Sequence, residues 1–133
     1  MHEAVIDVHT ATNQVIDITE RVARFVSDAG SGLLNIFVPH ATAGVAIMET
    51  GSGSEADLIE VLGRIFPRDD RYVHRHGSPG HGADHVIPAL VSPSVTIPVP
   101  AGRLQLGTWQ SIVLVDLNRD NPQRQVRLTL LEG

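Results

Sequence analysis

Residues 3–9 (EAVIDVH) alternate apolar and polar, the period of a half-buried strand with Ala4, Ile6 and Val8 on one face. The period then lengthens. Asp17 and Glu20 have capping-box spacing, Ile18, Val22, Phe25, Val26 and Ala29 recur at helical intervals, and Gly30 stops the run. Residues 33–38 (LLNIFV) and 43–48 (AGVAIM) are almost continuously apolar, which predicts strands buried on both faces. A second helix is predicted from Ser54, with Asp57 at its third position, through Leu58, Val61, Leu62 and Ile65 to a stop at Pro67.

Residues 67–84 are polar and contain Gly77, Gly80 and Gly82, and a connection of that length in a small domain is usually functional or disordered. Asp84 is placed to cap a short helix over residues 85–91, with Pro88 about one turn in. The remainder reads as strands at 94–99, 110–117 and 124–131. The turn sequence Pro100-Ala101-Gly102-Arg103 joins two strands, and Pro98 and Pro100 point to a sheet edge. Strands gathered toward both ends predict an α+β domain over residues 1–133. Its sheets are β-rich and mixed or antiparallel, with two main helices and one short one.

Length and charge narrow the function classes. A chain of 133 residues, 42% apolar and free of repeats or linkers, can bury one core. No apolar run approaches the roughly 18–20 residues of a membrane span, and no signal region opens the chain, so a cytoplasmic protein without a membrane partner is expected. A formal charge of -5, with ten scattered arginines, argues against nucleic acid as a partner. Lysine is absent, which excludes Schiff-base chemistry and a P-loop lysine. Cysteine is also absent, so a transition metal would rest on imidazole and carboxylate.

Against that background, seven histidines stand out, five of them at positions 40, 74, 76, 81 and 85. His40 follows an apolar strand, where a polar side chain must reach solvent or find a partner; taken alone it more often serves structure. His74-Arg75-His76 puts two imidazoles on one face of an extended chain, but no glutamate follows at cupin spacing, which leaves one of the pair as a site residue. His85 stands beside Asp84. Should His40, His74 and His85 converge, they would make a three-nitrogen metal site with a position left for ligand, His76 and His81 being candidate substitutes. Glu49 and Thr42 flank the second apolar strand as candidate catalytic groups, although an exposed strand-end carboxylate is the plainer reading of Glu49. Trp109 and Gln110 follow Gly107 as a candidate pocket wall, against the commoner role of a lone Trp in a core. Arg71 and Arg75 are candidate phosphate grips, against a solvated loop.

The same residues carry a resemblance. Pro39 to Glu49 (PHATAGVAIME), Tyr72-Val73-His74, Asp84 to Ser94 (DHVIPALVSPS) and Gly102 to Gln110 (GRLQLGTWQ) resemble the YjbQ-like family. The similarity covers nearly the whole chain. It implies an α+β fold, a homotrimer with sites near subunit boundaries, and convergence of His40, His74 and His85. Zinc is the cofactor it implies first and magnesium second. It places Thr42, Glu49, Trp109 and Gln110 in the same pocket. The implied activity is secondary thiamine-phosphate synthase, acting on small phosphorylated metabolites. The alternatives are a Zn-dependent hydrolase and a non-enzymatic trimer that binds a metal or metabolite.

The chain also departs from the family pattern. Met48 stands where an Asn precedes the glutamate, and Ser52-Gly53 replaces an Asp-Pro pair. Ile87 and Ala89 replace a Lys and a Ser after His85, and Pro122-Gln123 replaces a Pro-Arg pair. A phosphate gripped by that lysine elsewhere would here need Arg71 or Arg75.

Overall fold

A computed structural model describes residues 1–11 and 13–133. Seven strands form two antiparallel sheets. β1 (His2–His9), β7 (Gln123–Glu132), β3 (Gly32–Phe37) and β5 (Ser94–Val99) make a four-stranded sheet in that order. β2 (Val15–Asp17), β6 (Ser111–Val115) and β4 (Gly44–Met48) make a three-stranded one. Pro98 sits on β5, an edge strand, with Pro100 just past its end, as expected where a missing N–H would break a ladder.

The two sheets face each other. Leu34, Ile36, Ile97, Val99, Leu128 and Leu130 from the larger meet Val45, Ile112 and Leu114 from the smaller, and Val22 and Val26 of α1 (Thr19–Val26) pack into the same core. β6 alternates between two cores: Val113 and Val115 point the other way, to Leu62 and Phe66 around the end of α2 (Ser54–Ile65), and to Ala83, Ile87 and Leu117. The continuous apolar run of β6 thus means burial on both faces.

The similar run in β3 does not. Leu34 and Ile36 are fully buried, while Leu33 is 51% and Phe37 38% exposed. Among the described residues, no layer covers the outer face of the larger sheet, where Val5, Leu33, Phe37 and Leu131 are exposed. α1 is shorter than its periodicity predicts, closing at Ser27, whose hydroxyl donates to the Arg24 carbonyl. Asp17 accepts the Thr19 N–H at 2.9 Å, but Glu20 faces Arg24 instead of completing a capping box. α2 starts at Ser54 as predicted, yet Val61 and Ile65 are exposed and Leu62 is the residue it buries. Residues 103–110 after the Pro100–Arg103 turn are not a strand; Leu104 and Leu106 pack on the main core from an irregular segment.

The predicted short helix is displaced. Helical turns begin four residues earlier, as α3 (His81–Asp84), followed by a 3-10 turn over Ile87–Ala89 with Pro88 near its start. Asp84 does not cap a helix. Its carboxylate is wholly buried and takes both nitrogens of the Arg68 fork. A buried charge forces such a partner.

Candidate metal centre

The loop from Pro67 to Gly80 would be unconstrained but for its anchors. The Arg68–Asp84 pair ties its start to α3. Gly77 turns with φ 79, and a Cβ there would meet Asp120 Oδ2 at 2.6 Å and the His81 ring at 2.9 Å. Gly82 lets α3 lie directly on the Tyr72–His74 segment, where a Cβ would come within 2.7 Å of the His74 carbonyl oxygen. These close approaches press the HxH strand against the helical turn that carries His81 and His85. An i,i+4 spacing puts those two rings on one side of the chain.

Four imidazoles meet there. His74, His76, His81 and His85 each offer a ring nitrogen, and these atoms all lie within 4.8 Å of one another. The His81 and His85 Nε2 atoms are 2.9 Å apart. Ring centroids of His74 are 3.9 Å from His76 and 4.1 Å from His85. His74 Nδ1 is buried and has no hydrogen-bond partner. A buried polar atom without a partner is costly, and four ring nitrogens grouped this closely form a donor set that suits a borderline-soft divalent cation. A tetrahedral zinc site has nitrogens about 3.3 Å apart at bond lengths of about 2.0–2.1 Å, so the group needs only a modest contraction to fit one. Six oxygen ligands, the preference of magnesium, are absent from the group.

The surroundings hold the rings in one state. His81 Nδ1 lies 2.8 Å from Asp120 Oδ2, which fixes the proton on Nδ1 and turns Nε2 toward the cluster. Asp120 itself accepts the Ser78 N–H, and that bond first, then the nearby His81 and Arg68, hold its carboxyl below the usual range. Burial, then the neighbouring imidazoles, keep His74 and His85 below the ordinary histidine value and so neutral. Asn118 Oδ1 lies 3.0 Å from His81 Nδ1 as a second acceptor for that proton. Two cavities flank the cluster. One, of about 300 Å³, is lined by the loop including Arg75, His74, His76 and His81; the other, of about 430 Å³, by His40, Thr42, His76, His81, His85 and Arg124 among others.

The expected trio is therefore only partly assembled. His74 and His85 join the cluster, with both His76 and His81 beside them. His40 stands across the second cavity, and its Nε2 accepts the Gln125 N–H at 2.9 Å. An amide can only donate, so the His40 proton is on Nδ1 and neither nitrogen has a lone pair to spare for a metal. Burial and the Arg124 charge lower its pKa and maintain that neutral form. Thr42 borders the same cavity and accepts from Arg124 Nη2 at 2.8 Å.

The remaining candidates lie elsewhere. Glu49 follows β4 at the end opposite Thr42, and five strand residues at about 3.3 Å each put roughly 17 Å between them. Gln110 closes a turn, accepting the Gly107 N–H, and Trp109 is 74% exposed beyond both cavities; β6 carries them to the Glu49 end of the small sheet. Arg71 spends its fork on Asp69, while Arg75 donates Nε to the Tyr72 carbonyl at the first cavity. Sequence reasoning raises His81 only as a substitute ligand and does not single out Asp120 or Arg124. The His81–His85 spacing was the available signal for the first; the other two lie in and after a turn with no local mark.

Known proteins match this chain over most or all of its length. The family described as UPF0047 protein YjbQ-like matches residues 4–133. A UPF0047 protein of Mycobacterium tuberculosis is 61% identical over 133 residues, all of both chains. One of Archaeoglobus fulgidus is 32% identical over 113 residues, 85% of this chain and 88% of its own. The crystal structure of a hypothetical protein from Aeropyrum pernix K1 superposes with a TM-score of 0.90 at 32% identity, covering 100% of each chain. In sequence and in fold alike, the chain belongs to the UPF0047 YjbQ-like family.

Proposed function

We propose that the protein is a zinc-dependent enzyme that binds a small phosphorylated metabolite in the cavity beside its histidine cluster. The observation that carries this reading is the buried, partnerless His74 Nδ1 inside a group of four convergent imidazoles. Zn²⁺ held there supplies Lewis-acid polarisation of an oxygen donor on the ligand. The residues of the chain do the rest: Asp120 orients His81, the Arg68–Asp84 pair holds α3 against the loop, and Thr42 and Arg124 face the ligand from the opposite wall. Thiamine-phosphate synthase is the specific activity to test first. Elemental analysis of untagged protein should find one zinc per chain, lost in His81→Ala; a protein that retains none after zinc loading and dialysis overturns the reading. Growth of a thiamine-requiring synthase mutant tests the specific activity, and no growth with ample folded protein removes it.

One observation favours a second reading. If all four imidazoles engage the cation, no coordination position is left for substrate, and the protein is a metal-binding module without turnover. Zinc retention without activity toward any phosphorylated substrate supports it.

We also infer a homotrimer. Its support is the uncovered face of the larger sheet, where Val5, Leu33, Phe37 and Leu131 are exposed and Leu33 pairs directly with Leu131. Monomers seldom leave such contiguous apolar surface open. Assembly would also give Trp109 and Glu49 a neighbour. Light scattering should return three times the chain mass, and a monomer at micromolar concentration excludes it.

A further inference from the structure

Arg124 presents donors that the protein itself does not use. Its side chain is 2% exposed, near the start of β7 where Arg124 pairs with Val8 of β1. Nε donates to Asp116 Oδ2 at 2.6 Å, and Nη2 donates to Asp116 Oδ1 at 3.0 Å and Thr42 Oγ1 at 2.8 Å. Nη1, with two further N–H groups, has no hydrogen-bond partner among the described residues. Among the described residues, the buried side-chain atoms lacking partners are His74 Nδ1 and Ser78 Oγ. Arg124 borders the cavity of about 430 Å³ that His76, His81 and His85 line from the other side. Nη1 is the part of this cavity-lining guanidinium that Asp116 and Thr42 leave unengaged. His40 borders the same cavity and, with Nε2 occupied by the Gln125 N–H, carries its proton on Nδ1.

We infer that Arg124 Nη1, with His40 Nδ1–H beside it, is a receptor for an oxyanion group, carboxylate or phosphate, on the ligand that the histidine-bound metal also meets. This rests on the zinc reading above and adds to it the part of the ligand that the metal does not hold. Guanidinium suits the task because its planar N–H pair matches oxyanion geometry, and its partner Asp116 keeps it fixed before any ligand arrives. Charge decides the order of events. Asp116 offsets Arg124, and Asp120 lies at the cavity wall, so the metal-free cavity carries no surplus of positive charge. A divalent cation on the histidines reverses that balance. Anion binding is therefore expected to be weak without zinc and stronger with it. The residue also explains how a member of the family that has Ile87 and Ala89 in place of Lys and Ser can still grip an anion.

The test uses the full chain, metal-free and zinc-loaded, with inorganic phosphate and acetate as probes. Arginine side-chain ¹H–¹⁵N resonances report the site, and their titration reports the affinity. The receptor predicts that one arginine, assigned through Arg124→Lys, shifts with either anion, the tighter of the two naming the class. Arg124→Lys keeps a cation beside Asp116 but loses the fork; the double change D116L/R124L removes the buried pair together, leaving no orphaned charge. Each should weaken anion binding about tenfold or more while zinc content is unchanged. Affinity within twofold of the parent in either folded variant, or no arginine shift with both anions, overturns the receptor. A protein that fails to bind zinc refutes the metal reading alone, for an arginine shift in the metal-free chain still supports the receptor and its absence still overturns it.

Discussion

Asp120→Asn separates the geometry of the cluster from its mere composition. Asp120 is not a member of the four-histidine group, yet its Oδ2 lies 2.8 Å from His81 Nδ1 and 3.1 Å from the Ser78 N–H. An amide oxygen in the place of Oδ2 can still accept both donors, but the imidazole loses the anion that fixes its tautomer. Partners of this kind typically change metal affinity by about 10- to 100-fold, or roughly 1.4–2.7 kcal/mol. Direct loss of a ligand is worse. Structural zinc contributes about 10–16 kcal/mol, so each of four ligands carries about 3 kcal/mol and His81→Ala should cost about two orders of magnitude in affinity. His40→Ala should change zinc affinity less than about threefold, because its Nε2 is already engaged by the Gln125 amide. Competition against a chelating fluorophore at neutral pH, with untagged protein, ranks the three. A His40 variant that loses more zinc than the His81 or Asp120 variants would refute the assignment of ligands, and an Asp120 variant equal to the parent would refute the orienting role.

Asp84→Ala leaves Arg68 without its partner and should cost about 3–5 kcal/mol, read as a large fall in urea midpoint; a change under about 1 kcal/mol would show the pair to be dispensable. Gly44→Ala would drive a Cβ to 2.0 Å from the Val91 carbonyl oxygen, a backbone atom that cannot step aside, so a sharply lowered Tm or insoluble protein is expected and a normal melt contradicts the packing. His74 and His85 titrate lower in the fold than in the unfolded chain, burial being the first cause. The unfolded chain therefore binds the extra protons as pH drops through about 6.5, and the metal-free protein should be fully stable above that value and weaken as pH falls toward the folded pKa values. Chemical denaturation at several pH values checks the sign, and H74Q/H85Q should flatten the profile; stability that rises on acidification would reverse the reasoning.

Much of the fold was legible because it is written in local periods. The alternation of Ala4, Ile6 and Val8 survives unchanged in β1, and α2 begins at Ser54 where the helical spacing begins. The prolines at 98 and 100 mark the edge strand for a reason that belongs to one residue, the missing N–H. The errors have a common source. Residues 33–38 and 110–117 look alike as apolar runs, yet only β6 has a layer on each side, and no residue in either run records what lies across from it. α3 was placed too late because Asp84 resembles a cap, whereas its carboxylate is committed to Arg68, sixteen residues away.

The sequence by itself determined the element types, the edge position of β5, the reliance on imidazole in place of thiolate and amine, and the polar loop in which a site was to be sought. Each follows from side-chain chemistry or from spacing over a few residues. Only the tertiary structure decided that His76 and His81 join His74 and His85, that His40 is taken up by a backbone amide of β7, and that Arg124 lines a cavity with His76, His81 and His85. Those choices are made by strand register and by glycine-permitted contacts between segments distant in the chain, where burial and hydrogen-bond demand are settled jointly and no single stretch holds the answer.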